Sequence, residues 1–111
     1  MGAPIEIVTQ AIDAAYLQKF IGRPYEKLIK FVVDIEQTKI ALGGEMHSDA
    51  EAVLLADGSE QANLWGGNVV PQTSTEWKIE YTSFINIRPS QGNRKIEIQD
   101  LALRDRVKAV V

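Results

Sequence analysis

The 111-residue chain has no cysteine, which excludes a disulfide framework, a thiolate metal centre and a cysteine nucleophile and makes the cytoplasm the expected location. It has one histidine, so imidazole chemistry is confined to a single position. No apolar run approaches the length of a membrane span, and the opening MGAPIEIVTQ lacks the basic start and apolar core of a signal peptide. Glu6 stands where a myristoylation signal after Met-Gly requires Ser or Thr. No membrane attachment is expected. Aromatic residues are scarce, at 7%, so Trp65 and Trp77 are expected to fill core and not to stack a base or sugar.

Apolar residues make up 45% of the chain and charged residues 24%, the balance of a folded globular protein. The length fits one domain over residues 1–111, and a chain of this size buries roughly 65% of its unfolded surface, enough for a self-sufficient core. No internal repeat, linker or low-complexity segment divides it. The formal net charge of -3 argues against attraction to nucleic acid or to an anionic membrane surface, and Lys27, Lys30 and Lys39 read as a solvated face.

Ile5 and Ile7 open a short strand, after which Ile12, Tyr16 and Phe20 recur every fourth residue and predict a helix over 11–21, ended by Gly22 and Pro24. In KLIKFVVDIEQTKIALGG, β-branched and aromatic content favours two strands, with a hairpin turn at Glu36-Gln37-Thr38-Lys39. SDAEAVLLADG predicts a helix with Ser48 and Glu51 in capping-box spacing and Asp57-Gly58 at its exit. LWGGNVVP reads as a strand with a possible bulge at Gly66-Gly67. The alternation of Trp77, Ile79, Tyr81, Ser83, Ile85 and Ile87 predicts one long strand. KIEIQ offers a further short one. Asp100 is placed to cap a last helix carrying Leu101, Leu103, Val107 and Val110. The order β-α-β-β-α-β-β-(β)-α implies an α+β fold with a mixed, mainly antiparallel sheet and about three helices.

Two stretches invite chemistry. GGEMHSDAE sets Glu45, His47, Asp49 and Glu51 at alternate positions, a donor set suited to a divalent ion such as zinc or manganese. Helix capping by Ser48 and Glu51 and the helix dipole at Asp49 account for part of that pattern. Glu45, His47 and Asp49 are therefore kept as candidate metal ligands, with His47 the candidate catalytic group. INIRPSQGNR, residues 85–94, runs a strand into two guanidiniums, two amides and a hydroxyl. Asn86, Arg88, Ser90 and Arg94 are the candidate residues for binding a small anion or phosphorylated ligand, since backbone N–H groups and charge-assisted donors suit phosphate and carboxylate. The competing reading is an ordinary turn whose arginines pair with Glu80, Glu97 or Asp100. The chain has no P-loop, dinucleotide-binding or nucleophile-elbow motif.

Through GGEMHSDAE, LLADGS, LWGGN and INIRPSQGNR the sequence resembles a small prokaryotic family catalogued only as a domain of unknown function, over nearly the whole chain. The resemblance implies one compact domain. It carries no activity, cofactor or catalytic residue. The leading expectation is recognition of a small anionic ligand through the 86–94 loop; the alternatives are a metal-assisted hydrolase using residues 45–49 and a noncatalytic homo-oligomeric interaction module.

Overall fold

In Ile29-Lys30-Phe31-Val32-Val33-Asp34, apolar residues occupy both alternating positions, so as a strand this segment needs cover on both faces. A computed structural model, which describes residues 5–9, 14–17, 20, 28–72 and 76–111, makes it the centre of a five-stranded sheet. The strands are β1 (Ile5–Val8), β2 (Ile29–Asp34), β3 (Lys39–Gly43), β4 (Leu64–Pro71) and β5 (Trp77–Glu80), in spatial order β1-β3-β2-β4-β5. Every pairing is antiparallel, so the sheet is not mixed. On one face Ile29, Phe31 and Val33 pack with Ile40, Leu42, Trp65 and Val69, and this core takes in Leu17 of α1 (Ala14–Leu17) and Val107 of α3 (Leu101–Val110). On the other face Val32, Ala41 and Leu64 are covered by Ala50 and Leu54 of α2 (His47–Ala56).

The hairpin between β2 and β3 is closed by a buried carboxylate. Asp34 Oδ1 accepts the Glu36 and Gln37 N–H groups, both at 2.9 Å, and Oδ2 accepts the Ser59 hydroxyl at 2.7 Å. Charge-assisted bonds of this kind are the stronger ones. Lys39, expected in the turn and on the surface, begins β3 instead and is buried. Its ammonium reaches Asp57 Oδ2 at 2.9 Å and the Asp57 carbonyl at 3.2 Å, tying the hairpin to the end of α2.

The fold is α+β, with two ten-residue helices and short 3-10 turns among the described residues where about three helices are expected. Of the helix expected over 11–21, Ala14–Leu17 is helical, while Ile12, Gly22 and Pro24 lie outside the described residues, as does Lys27. The long strand expected to run from Trp77 to Ile87 stops at Glu80. KIEIQ forms no full strand: its contribution is an isolated bridge from Glu97 to Thr82, which leaves Ile98 fully buried. Among the described residues no helix is long and apolar enough to cross a membrane.

Capping differs at the two long helices. Asp100 accepts from the N–H groups of Ala102 and Leu103, as expected of an N-cap. At α2 the cap position is Met46, with no side-chain cap bond, and Ser48 falls inside the first turn. The helix starts two residues early, with the ring of His47 buried at its head. Glu51 does not reach back: its Oε2 is buried, and its charge acts on Arg88. Asp100→Ala is therefore expected to destabilise the protein by about 1 kcal/mol, and Ser48→Ala by less than about 0.5 kcal/mol. Urea melts of the two variants check this; equal losses would mean that Ser48 caps after all.

Candidate functional site

The polar stretch after β5 acts first on the backbone. β5 pairs with β4 only from Pro71↔Trp77 to Asn68↔Glu80. Past that point the chain turns away and bonds to the segment before α3, with Ile98 N–H donating to the Tyr81 carbonyl at 2.9 Å and Ser83 N–H to the Ile96 carbonyl at 3.0 Å. Ser83 Oγ accepts the Ile85 N–H at 3.3 Å and starts a 3-10 turn over Phe84–Asn86. The turn sends Phe84 outward, 82% exposed, and Asn86 inward, fully buried.

Asn86 then substitutes for a strand. Its Oδ1 accepts the Gly66 N–H at 2.8 Å while its Nδ2 donates to the Gly66 carbonyl at 2.9 Å and to the Ile96 carbonyl at 3.1 Å. Arg88 continues along β4: its guanidinium donates to the Leu64 carbonyl and to the Gln61 carbonyl, and it lies 3.8 Å over the Trp65 ring. Burial draws the guanidinium's pKa down, with Glu51 opposing. It stays charged, because arginine ionises far above neutrality. Asn93 Nδ2 donates to the carbonyls of Asn86, Lys95 and Glu97, closing the loop on itself. Of the four residues expected to hold an anion, Asn86 and Arg88 are thus buried and engaged on β4 and the Gln61 carbonyl, and Ser90 and Arg94 are exposed.

A different set is gathered on the α2 face. Where β5 leaves, a cavity of about 230 Å³ opens, lined by Lys30, Glu45, Met46, His47, Ser48, Ser83, Phe84 and Ile85. An adjoining cavity of about 170 Å³ shares Lys30, His47, Ser83 and Phe84 and adds Asn68, Thr82 and Ile96. Together they form one groove.

His47 is its centre. The imidazole Nε2 lies 2.7 Å from the Gly67 carbonyl, an acceptor, so Nε2 carries the hydrogen and donates. Burial holds the ring below its ordinary pKa of 6.5; the Gly67 bond opposes this, the Lys30 ammonium adds to it, and the Asn68 amide opposes it. At neutral pH the ring is uncharged. The close approach of His47 and Ser83 to β4 requires glycine at position 66, where a Cβ would stand 2.8 Å from Ser83 Cβ and 3.2 Å from His47 Cδ2.

Glu45 and Asp49, expected as metal ligands beside His47, are exposed while His47 is buried, and among the described residues no group of three or more His, Asp or Glu side chains is placed to share an ion. Sequence reasoning singled out His47 but missed Lys30, Asn68 and Ser83. The available signal was a lysine inside the otherwise apolar strand IKFVV.

The chain belongs to the family described as protein of unknown function (DUF5674), whose model matches residues 6–111. No curated protein and no solved structure matches it.

Two outcomes are expected from this geometry. Asn86→Ala, which strands the Gly66 N–H and C=O, should lower stability by about 2–4 kcal/mol; a loss below about 0.5 kcal/mol in urea unfolding would show that the amide is dispensable. Because folding depresses the His47 pKa, the unfolded chain binds more protons in the window just under 6.5. The His47 contribution to stability is complete above 6.5 and declines as pH falls through the folded pKa. The melting temperature should therefore drop between pH 7 and the onset of carboxylate titration, and His47→Gln should flatten that slope.

Proposed function

We propose that the protein binds a small organic anion with an apolar or aromatic body, seated in the groove between the start of α2 and residues 82–85. The observation that carries this reading is that the Lys30 ammonium and the neutral His47 imidazole line one concave site whose remaining wall is largely apolar, with Met46, Phe84 and Ile85 on it. Ligand sites combine an apolar lining with a few placed polar groups, and a perturbed titratable residue in a cleft strengthens the assignment. At about 230 Å³ the cavity suits a ligand of one ring. The ligand class is the one expected from the loop, and the groove is its proposed seat because Lys30 and His47 line one concave surface there.

The amide spectrum of the labelled protein titrated with benzoate tests the proposal. Shifts are expected at Lys30, His47, Ser83 and Phe84, with Lys30→Gln weakening the affinity about tenfold or more, the scale of one charge-assisted contact. Benzamide, isosteric and neutral, should bind poorly. Shifts confined to Ser90 and Arg94 would return the site to the loop, and no shifts would end the anion reading. A noncatalytic homo-oligomeric module is the second reading, favoured by the exposure of Met46 and Phe84, at 60% and 82%, on the groove's rim. Light scattering of the wild-type and Phe84→Ser proteins separates the two, since a dimer lost in the variant assigns the rim to a second copy.

A further inference from the structure

We propose that the groove takes up its anion together with a proton, which resides on the His47 imidazole. The inference rests on the anion-binding reading of the groove and concerns how that binding is controlled.

Asn68 is the residue that points to it. Its Nδ2 donates toward Glu80 Oε1 at 3.4 Å and Thr82 Oγ1 at 3.5 Å. A carboxylate only accepts, so this pairing fixes which end of the amide faces β5. Oδ1 is left on the other side, buried and without a hydrogen-bond partner among the described residues, on a side chain only 7% exposed. A buried acceptor in that state is costly, and in native structures it calls for an explanation. Asn68 and His47 line the same cavity, with Lys30 beside them. The neutral ring has one N–H, already donated to Gly67. The imidazolium has a second, and the Asn68 amide, which lines the same cavity, favours the protonated ring.

What keeps the proton off in the free protein is burial, reinforced by Lys30. The charged groups around the ring are Lys30 from β2, Glu45 from the segment before α2 and, behind Asn68, Glu80 from β5; on α2 itself Asp49 is exposed and Glu51 acts on Arg88. Of these, Lys30 is the one whose charge disfavours the protonated ring. An anion against Lys30 offsets that repulsion and attracts the imidazolium directly. By linkage, the factor by which the anion raises the proton affinity of His47 equals the factor by which the proton tightens the anion.

The test is calorimetric titration of the full chain with benzoate at pH 6, 7 and 8, in pairs of buffers with different heats of ionisation, read together with the His47 imidazole resonances. Benzoate stays ionised throughout, so any proton absorbed goes to the protein. Uptake approaching one proton per benzoate is expected, and the affinity should fall by up to about tenfold per pH unit between the free and bound pKa values of His47. The ring resonances should move to protonated positions on saturation at constant pH. Lys30→Gln should raise the His47 pKa in the unliganded protein. Benzoate that shifts the groove amides without proton uptake would overturn the coupling and leave the binding reading intact. Uptake that persists in His47→Gln would assign the proton elsewhere and overturn it too. No binding in the groove would remove both readings.

Discussion

The backbone of β4 between Leu64 and Gly66 governs the rest of the structure. Buried N–H and C=O groups must be bonded, and ordinarily the next strand bonds them. Here β5 ends opposite Asn68, and the side chains of Asn86 and Arg88 take over, Asn86 offering Gly66 one donor and one acceptor just as a peptide group would. This substitution frees the chain after Glu80 to leave the sheet, bond to residues 96–98 and turn at Ser83. The groove beside His47 is the space that departure opens.

Gly66 and Gly67 make the substitution possible on both faces. A Cβ at Gly67 would meet the Glu80 carbonyl at 2.5 Å and the Phe31 ring at 2.6 Å, whereas one at Gly66 would meet Ser83 and His47. Adjacent residues of a strand face opposite ways, so the pair clears the core ring on one side and the head of α2 on the other. The dipeptide does the work of close approach, and the regular register of β2 with β4 continues through it without the bulge that two glycines suggest. Packing at a methylene's scale is felt in such a centre. The close packing on both faces of β4 therefore depends on these two positions.

Local chemistry made much of this legible. β1 through β4, the body of α2 and the Asp100 cap follow from alternation, β-branched content and cap residues, each a property of the segment itself. β5 was overextended because the alternation from Trp77 to Ile87 is unbroken while the neighbouring strand ceases to be its partner, and periodicity carries no information about partners. The cap at Ser48 failed for a related reason: Glu51 is engaged electrostatically by an arginine 37 positions away in the chain, a contact that capping-box spacing does not register. The guanidiniums and amides of INIRPSQGNR looked like ligand donors because their type was visible and their acceptors, carbonyls of residues 61–66, were not.

The same register explains why the groove has a polar floor. β2 and β4 place Val32 opposite Gly66 and Lys30 opposite Asn68, two successive pairs on the α2 face. The first pair lies under the helix, where Val32 joins Ala50 and Leu54 in the core. The second lies beyond its first residue, His47, and is covered by no apolar side chain of α2. Lys30 there is only partly buried and Asn68, though buried, has Glu80 and Thr82 as partners for its amide, so an ammonium and an amide tolerate the site. The change from apolar to polar along one face of two adjacent strands therefore marks where helix cover ends. The proposed ligand site is placed at that boundary because a cation, a neutral imidazole and an amide are brought together there, with the apolar edge of the core still beside them.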